Sequence, residues 1–168
     1  VHPLGDTHYL GDPENAVRVA GTVCDALSRI DPASAQGYET RRADFEKRLR
    51  TQIEGWTKRM LPFRGASVIT YHRSMNYFLR RFGLTCLAEL EPKPGIPPSP
   101  EHLDQVIRIA KTRKACCVLE ESFRPEKPGK FVAEKAGIPV LILHGEADYI
   151  AAMDRMVTQV AEVLEKRP

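Results

Sequence analysis

The sequence predicts an α/β fold: a four-stranded parallel sheet flanked by helices and preceded by a long linker helix. Three observations lead there. After residue 60, short apolar runs alternate with helical patterns four times, the signature of consecutive strand–helix units in a parallel sheet. Before that point, two Asp-Pro steps each open an amphipathic helical stretch. A chain of 168 residues that is 42% hydrophobic and 28% charged can also bury a core of ordinary domain size.

The elements follow in order. Asp12-Pro13-Glu14-Asn15 supplies a helix cap with Pro at the first position, and Val17, Ala20, Val23, Cys24 and Leu27 recur at helical spacing up to Asp31-Pro32. From there a helical stretch of about eight turns runs over 33–60, with Tyr38, Phe45, Leu49, Trp56 and Met60 on one stripe. The rest of 33–60 is dense in Glu, Arg and Lys, so this helix reads as a strut with a solvated face rather than a core element. Ser67–Tyr71 is a strand, and Ser74–Phe82 is a helix with Met75, Phe78 and Phe82 inward. Cys86–Leu90 is a second strand, and the Pro/Gly-rich loop Glu91–Pro98 leads to Ser99, the cap of a helix over 100–113. Leu103, Val106, Ile107 and Ala110 align on that helix. Ala115–Leu119 forms a third strand, a helix near 127–136 stops at Gly137, and Pro139–Leu143 is the fourth strand. A last helix from Asp148 places Ile150, Met153, Val157, Val160 and Leu164 on one face.

Charge and cysteine content narrow the function classes. A net charge of +3, from 25 basic and 22 acidic residues, is mild and scattered, which argues against a nucleic-acid partner or a polybasic membrane anchor. No run approaches the ~20 apolar residues of a spanning helix. The start, Val1-His2-Pro3-Leu4-Gly5, has neither an initiator Met nor an apolar signal core, as expected of an internal or processed fragment. Cys24, Cys86, Cys116 and Cys117 match no zinc-finger or Cys-x-x-Cys spacing. Core packing is the favoured role for the adjacent pair, with a disulfide from Cys86 to one of them as the alternative.

Ligands of open α/β sheets bind beyond the carboxyl ends of the strands. Here those ends run into His72-Arg73, Glu91, Glu120-Glu121 and His144-Gly145-Glu146. Imidazole and carboxylate at one rim are the donors that zinc and manganese prefer, although polar residues are expected wherever a strand leaves a core. Competing motifs fail. Pro139–Asp148 is similar to the acid-bearing strand of α/β-hydrolases, yet no Gly-x-Ser-x-Gly elbow supplies a nucleophile. Gly-x-Gly-x-x-Gly, the Gly-Lys phosphate loop and His-Glu-x-x-His are also absent.

The segment from His2 to Asn15, with Gly5-Asp6-Thr7-His8 and Gly11-Asp12-Pro13 inside it, resembles the Gly-Asn-Pro-His-x-x-x-Asp-Pro segment of a known family. So do Thr70-Tyr71-His72 with Tyr77-Phe78 and Phe82-Gly83-Leu84, and Glu91–Ser99. That family is the zinc- and manganese-specific solute-binding proteins of ABC transporters, and the similarity runs in order over nearly the whole chain. The resemblance implies a two-lobed protein joined by a rigid helix, with Zn²⁺ or Mn²⁺ held in the cleft. Residues 1–30 then end an N-terminal lobe, 31–60 form the linker helix, and 61–168 form the C-terminal lobe.

It also implies that His8 and His72 are metal ligands. The family's acidic ligand follows the last strand, where Glu146 is the best candidate, His144 a substitute, and Asp148 a helix cap. His2 and His102 are expected at the surface. Departures are Asp6-Thr7 in place of Asn-Pro, Gly11 before Asp12-Pro13, and the lobe that carries an earlier His ligand. The implied role is an extracytoplasmic or periplasmic binding protein, without catalysis, that hands its ion to a membrane permease. Partners would be the N-terminal lobe, or a second copy of the chain through the surface that lobe covers. The alternatives are a hydrolase-like enzyme using His144 or His72, and a module that has lost metal binding.

Overall fold

A computed structural model describes residues 5–166; Val1–Leu4, including His2, and Arg167–Pro168 lie outside the described residues. Helix α1 (Pro13–Ile30) starts where Asp12 accepts a hydrogen bond from the Glu14 amide at 3.1 Å, with Pro13 at the first position. It turns at Asp31-Pro32 into α2 (Ala35–Met60), which packs back along it. Four strand–helix units follow: β1 (Ser67–Thr70), α3 (Asn76–Phe82), β2 (Thr85–Glu89), α4 (Pro100–Thr112), β3 (Val118–Glu121), α5 (Glu126–Ala136), β4 (Val140–Leu143) and α6 (Tyr149–Glu165). All strands are parallel in the order β2-β1-β3-β4, so the expected fold class is the observed one.

The strand order decides where a site can form. The chain steps outward from β1 to β2, then crosses back over β1 to build β3 and β4. Right-handed crossovers in opposite directions place their helices on opposite faces. One face accordingly carries α1, α2, α3 and α6 over Val68, Cys117, Leu119 and Leu143. The other carries α4 and α5 over Ile69, Tyr71, Val118 and Val140. The reversal lies between β1 and β3, and the carboxyl ends of those two strands open a crevice there.

Two sequence expectations need correction. The long helix is not a detached strut: Leu49, Ile53, Trp56 and Met60 are buried in the core, and Trp56 Nε1 donates to Asp154 of α6 at 2.9 Å. Its charge density conceals a narrow apolar seam, which suffices because only one side meets α6 and the sheet. The third strand runs later than the apolar run, because its ladder to β4 continues through Glu120↔Ile142 and Glu121↔Leu143. Glu120 is therefore inside the sheet rather than on its rim.

Smaller corrections concern His102 and the thiols. His102 is half-buried, with Nε2 at 3.0 Å from the Glu89 carbonyl oxygen. All four cysteines are free thiols, so the Cys86 disulfide does not form. Burial, with Cys116 beside it, pushes the Cys117 thiol up to about 12, as befits an unreactive core residue.

Glu120 is almost wholly buried, and among the described residues neither carboxyl oxygen has a hydrogen-bond partner. It points to α5, where Gly129 makes room: a Cβ there would stand 1.9 Å from Glu120 Oε2. Burial, then the charges of Glu126 and Glu121, raise its pKa to about 7, opposed by Lys130. A carboxyl raised on folding costs nothing at pH values where both states hold the proton. The penalty grows as pH rises from the ordinary value near 4.5 through about 7. Glu120→Gln should remove this loss and stabilise the chain above pH 7 by on the order of 2 kcal/mol. Urea unfolding of both proteins at pH 5 and pH 8 checks it; equal losses in the two would show that the charge is not what burial penalises.

Candidate metal centre

Strand β1 delivers His72 to the crevice, where its side chain is 8% exposed. Its Nδ1 lies 2.5 Å from Oε2 of Glu91, the second residue beyond β2, whose side chain is 5% exposed. An ionised carboxylate only accepts, so Nδ1 carries the proton and Nε2 presents its lone pair. The second oxygen of Glu91 accepts the Gly95 amide at 2.7 Å. Arg124 adds a cation 3.8 Å from the same oxygen.

The second histidine arrives from the other end of the chain. His8 precedes a short turn, Tyr9–Gly11, that leads into α1. Its backbone N–H donates to Asp6 Oδ1 at 2.9 Å, and its Nδ1 lies 2.8 Å from the same oxygen. Asn76 at the start of α3 donates to the other Asp6 oxygen at 3.4 Å. Burial pushes the Asp6 carboxyl up, but the His8 and Asn76 hydrogen bonds outweigh it and hold the group below its ordinary value. The turn itself is pinned by Tyr149 of α6, whose hydroxyl donates to the Leu10 carbonyl at 2.8 Å. Gly11 lies so close to α3 that a Cβ there would be 3.2 Å from the Phe78 nitrogen.

These supports bring the two imidazoles together, with ring centroids 5.4 Å apart and planes at 76°. In each ring a carboxylate partner stands at Nδ1. Carboxylate–histidine pairs of this kind orient metal-ligating imidazoles and raise their basicity. Glu146 stands apart: it follows β4 and is paired with Arg155 of α6. His144 is exposed, while Asp148 caps α6 by accepting the Ala151 amide at 2.8 Å. Among the described residues, no three His, Cys, Asp or Glu side chains are grouped to hold a metal ion. What the described residues bring together here is a pair of imidazoles.

The roles of Glu91 and Asp6 were not visible in sequence. Glu91 was legible as a rim carboxylate, but its pairing joins two strand ends. Asp6 stood only as a departure from a motif.

The sequence profile described as zinc-uptake complex component A, periplasmic, matches residues 2–163. The chain belongs to that family. Among curated relatives, the high-affinity zinc uptake system protein ZnuA of Brucella abortus is 25% identical over 122 residues, 72% of this chain and 36% of its own length. ZnuA of Yersinia pestis is 26% identical over 125 residues, 74% of this chain and 39% of its own. The chain therefore spans little more than a third of the length of these relatives. Among solved structures, a ZnuA crystal structure superposes with a TM-score of 0.86 at 26% identity, covering 94% of this chain and 62% of that one. The solute-binding protein FpvC of Pseudomonas aeruginosa, in complex with Mn²⁺, gives 0.85 at 25% identity, covering 96% and 64%.

If Tyr149 holds the His8 turn in place, Tyr149→Phe should loosen it without unfolding the chain. Losing one such hydrogen bond costs about 1 kcal/mol, or roughly fivefold in local opening. Hydrogen exchange at the Gly11 and Asp12 amides, which close the turn, should accelerate by about that factor while core strand amides keep their rates. Uniform acceleration across the chain would instead mean that the phenol supports the fold as a whole.

Proposed function

We propose that this chain is the linker-helix and metal-holding part of an extracytoplasmic or periplasmic solute-binding component of an ABC transporter, with Zn²⁺ or Mn²⁺ as its cargo. The observation that carries the reading is the His8–His72 pair, two rings 5.4 Å apart with Nδ1 of each held by a carboxylate. Nitrogen donors favour zinc, since manganese prefers more carboxylate. Membership of the zinc-uptake component family and the names of its relatives support the same class of cargo.

His8 and His72 supply two ligands in this reading. Glu146 is the proposed acidic ligand, which requires it to exchange Arg155 for the ion. A tetrahedral zinc shell takes four donors, so the remainder comes from a preceding lobe or a second copy of the chain. Residues 1–30 would end that lobe, and 31–60 would link it to the lobe formed by 61–168. No described helix is long and apolar enough to cross a membrane. Binding rather than catalysis is the role, and closure around the ion is the state the permease would read.

Zn²⁺ titration calorimetry on the chain, beside His8→Ala and His72→Ala, tests this. The expected result is one ion per chain or per pair of chains, with binding lost in both variants. Glu91→Gln should weaken binding by about 10- to 100-fold, as removal of a carboxylate that orients a ligating histidine does. Binding that survives both alanine variants would place the ion elsewhere, and a wild-type chain that binds no Zn²⁺ would remove the self-sufficient site.

A further inference from the structure

The loop after β3 bears a cation that the proposed ligand set does not use. Arg124 is placed by a turn in which its amide donates to the Glu121 carbonyl at 2.9 Å. The side chain is 23% exposed, and its guanidinium stacks over Tyr71 with 5.5 Å between guanidinium carbon and ring centroid. It stands between two carboxylates. Glu91 Oε1 lies 3.8 Å from one of its terminal nitrogens, and Glu121 Oε2 lies 4.0 Å from Nε, which is buried without a hydrogen bond to any described residue.

Each of those carboxylates holds the His72 segment at a different point. Glu91 grips the imidazole at Nδ1, while Glu121 accepts a hydrogen bond from Ser74, two residues further on. The ring and the Ser74 hydroxyl beyond it are thus tied to two strand ends, and one guanidinium spans both ties. We propose that Arg124 is a positioning residue for metal binding, bracing Glu91 and Glu121 so that His72 is held in one ligating pose. This rests on the reading of His72 as a ligand.

A nearby cation also opposes a bound metal ion through its field, so removing Arg124 has two effects of opposite sign. If bracing dominates, Zn²⁺ binding weakens; if the field dominates, it strengthens. Lysine separates them, because it keeps the charge but presents a point donor in place of a planar fork.

The test measures Zn²⁺ affinity by chelator competition on the full chain for wild type, Arg124→Met, Arg124→Lys, Glu91→Gln and the double variant Arg124→Met/Glu91→Gln. Arg124→Met should weaken binding about tenfold, the lower end for partners behind a ligand. Arg124→Lys should recover only part of that loss. The double variant should be little weaker than Glu91→Gln alone, because both changes act through one carboxylate. Unchanged or tighter binding in Arg124→Met, or fully additive losses, would overturn the brace.

The metal-free chain gives an independent readout. Nitrogen-15 spectra of the His72 ring should show a single Nδ1–H tautomer in wild type and mixed tautomers in Arg124→Met. Identical spectra would overturn the brace even if affinity fell. A wild-type chain that binds no Zn²⁺ would remove the ligand reading, and the metal-free spectra would then decide the brace alone.

Discussion

The buried contact between His72 and Glu91 sets terms that the surrounding structure has to meet. Both side chains are nearly sealed from solvent, and an ionised carboxylate so placed costs several kcal/mol unless its oxygens are satisfied. One oxygen is satisfied by the imidazole and the other by the Gly95 amide, with Arg124 alongside. The loop Glu91–Pro98 takes its shape from this requirement. Gly95 sits at a φ of +80°, a left-handed backbone that favours glycine, and so turns its N–H back toward Glu91. The Ile96 amide closes the same turn onto the Lys93 carbonyl at 2.9 Å, between prolines that fix φ on either side.

Topology explains why this contact forms where it does. His72 and Glu91 leave adjacent parallel strands on the same edge of the sheet, as the pairing of Thr70 with Glu89 requires. Beside β1 on its other side, β3 ends in Glu121, and the reversal of strand order between β1 and β3 keeps helices clear of the gap. A ring placed there is walled by backbone and still reachable from the open end. Glu120 shows what one step of the pleat changes. Side chains alternate across the sheet, so Glu120 faces α5 and finds no partner, while Glu121 faces the crevice and finds Ser74 and Arg124.

Much of this was legible in the sequence because the signals are local. Asp12-Pro13, Ser99-Pro100 and Asp148 mark helix starts by capping chemistry that acts within three residues, and each caps in the structure. The parallel sheet, though not its strand order, followed from alternating strand and helix patterns, and the rim histidine from its place after a strand. The misreadings have one cause. The core role of α2, the inward turn of Glu120 and the half-burial of His102 depend on what packs against them, and composition around a residue does not report that. Gly129, nine residues on, meets the Glu120 carboxylate only once α5 has packed on the sheet. The site was half legible for the same reason. His8 and His72 stood out by motif, whereas Glu91, Ser74, Glu121 and Arg124 act as a set only once three strand ends lie side by side.

The contacts that hold the two histidines differ in reach. His72 is fixed from its strand, its ring and its following residues, through contacts that span the sheet. His8 is held by Asp6, two residues away, and its turn touches the rest of the molecule through Tyr149, Asn76 and the backbone of Phe78. Local bonds of this kind open at lower cost than a core ladder, because few buried contacts must break with them. In the proposed carrier, the ion would therefore be seated on a rigid imidazole and completed by a more compliant one. Holding and releasing an ion makes opposite demands on a site. In that reading, dividing the ligands between a strand end and a turn would let the site meet both.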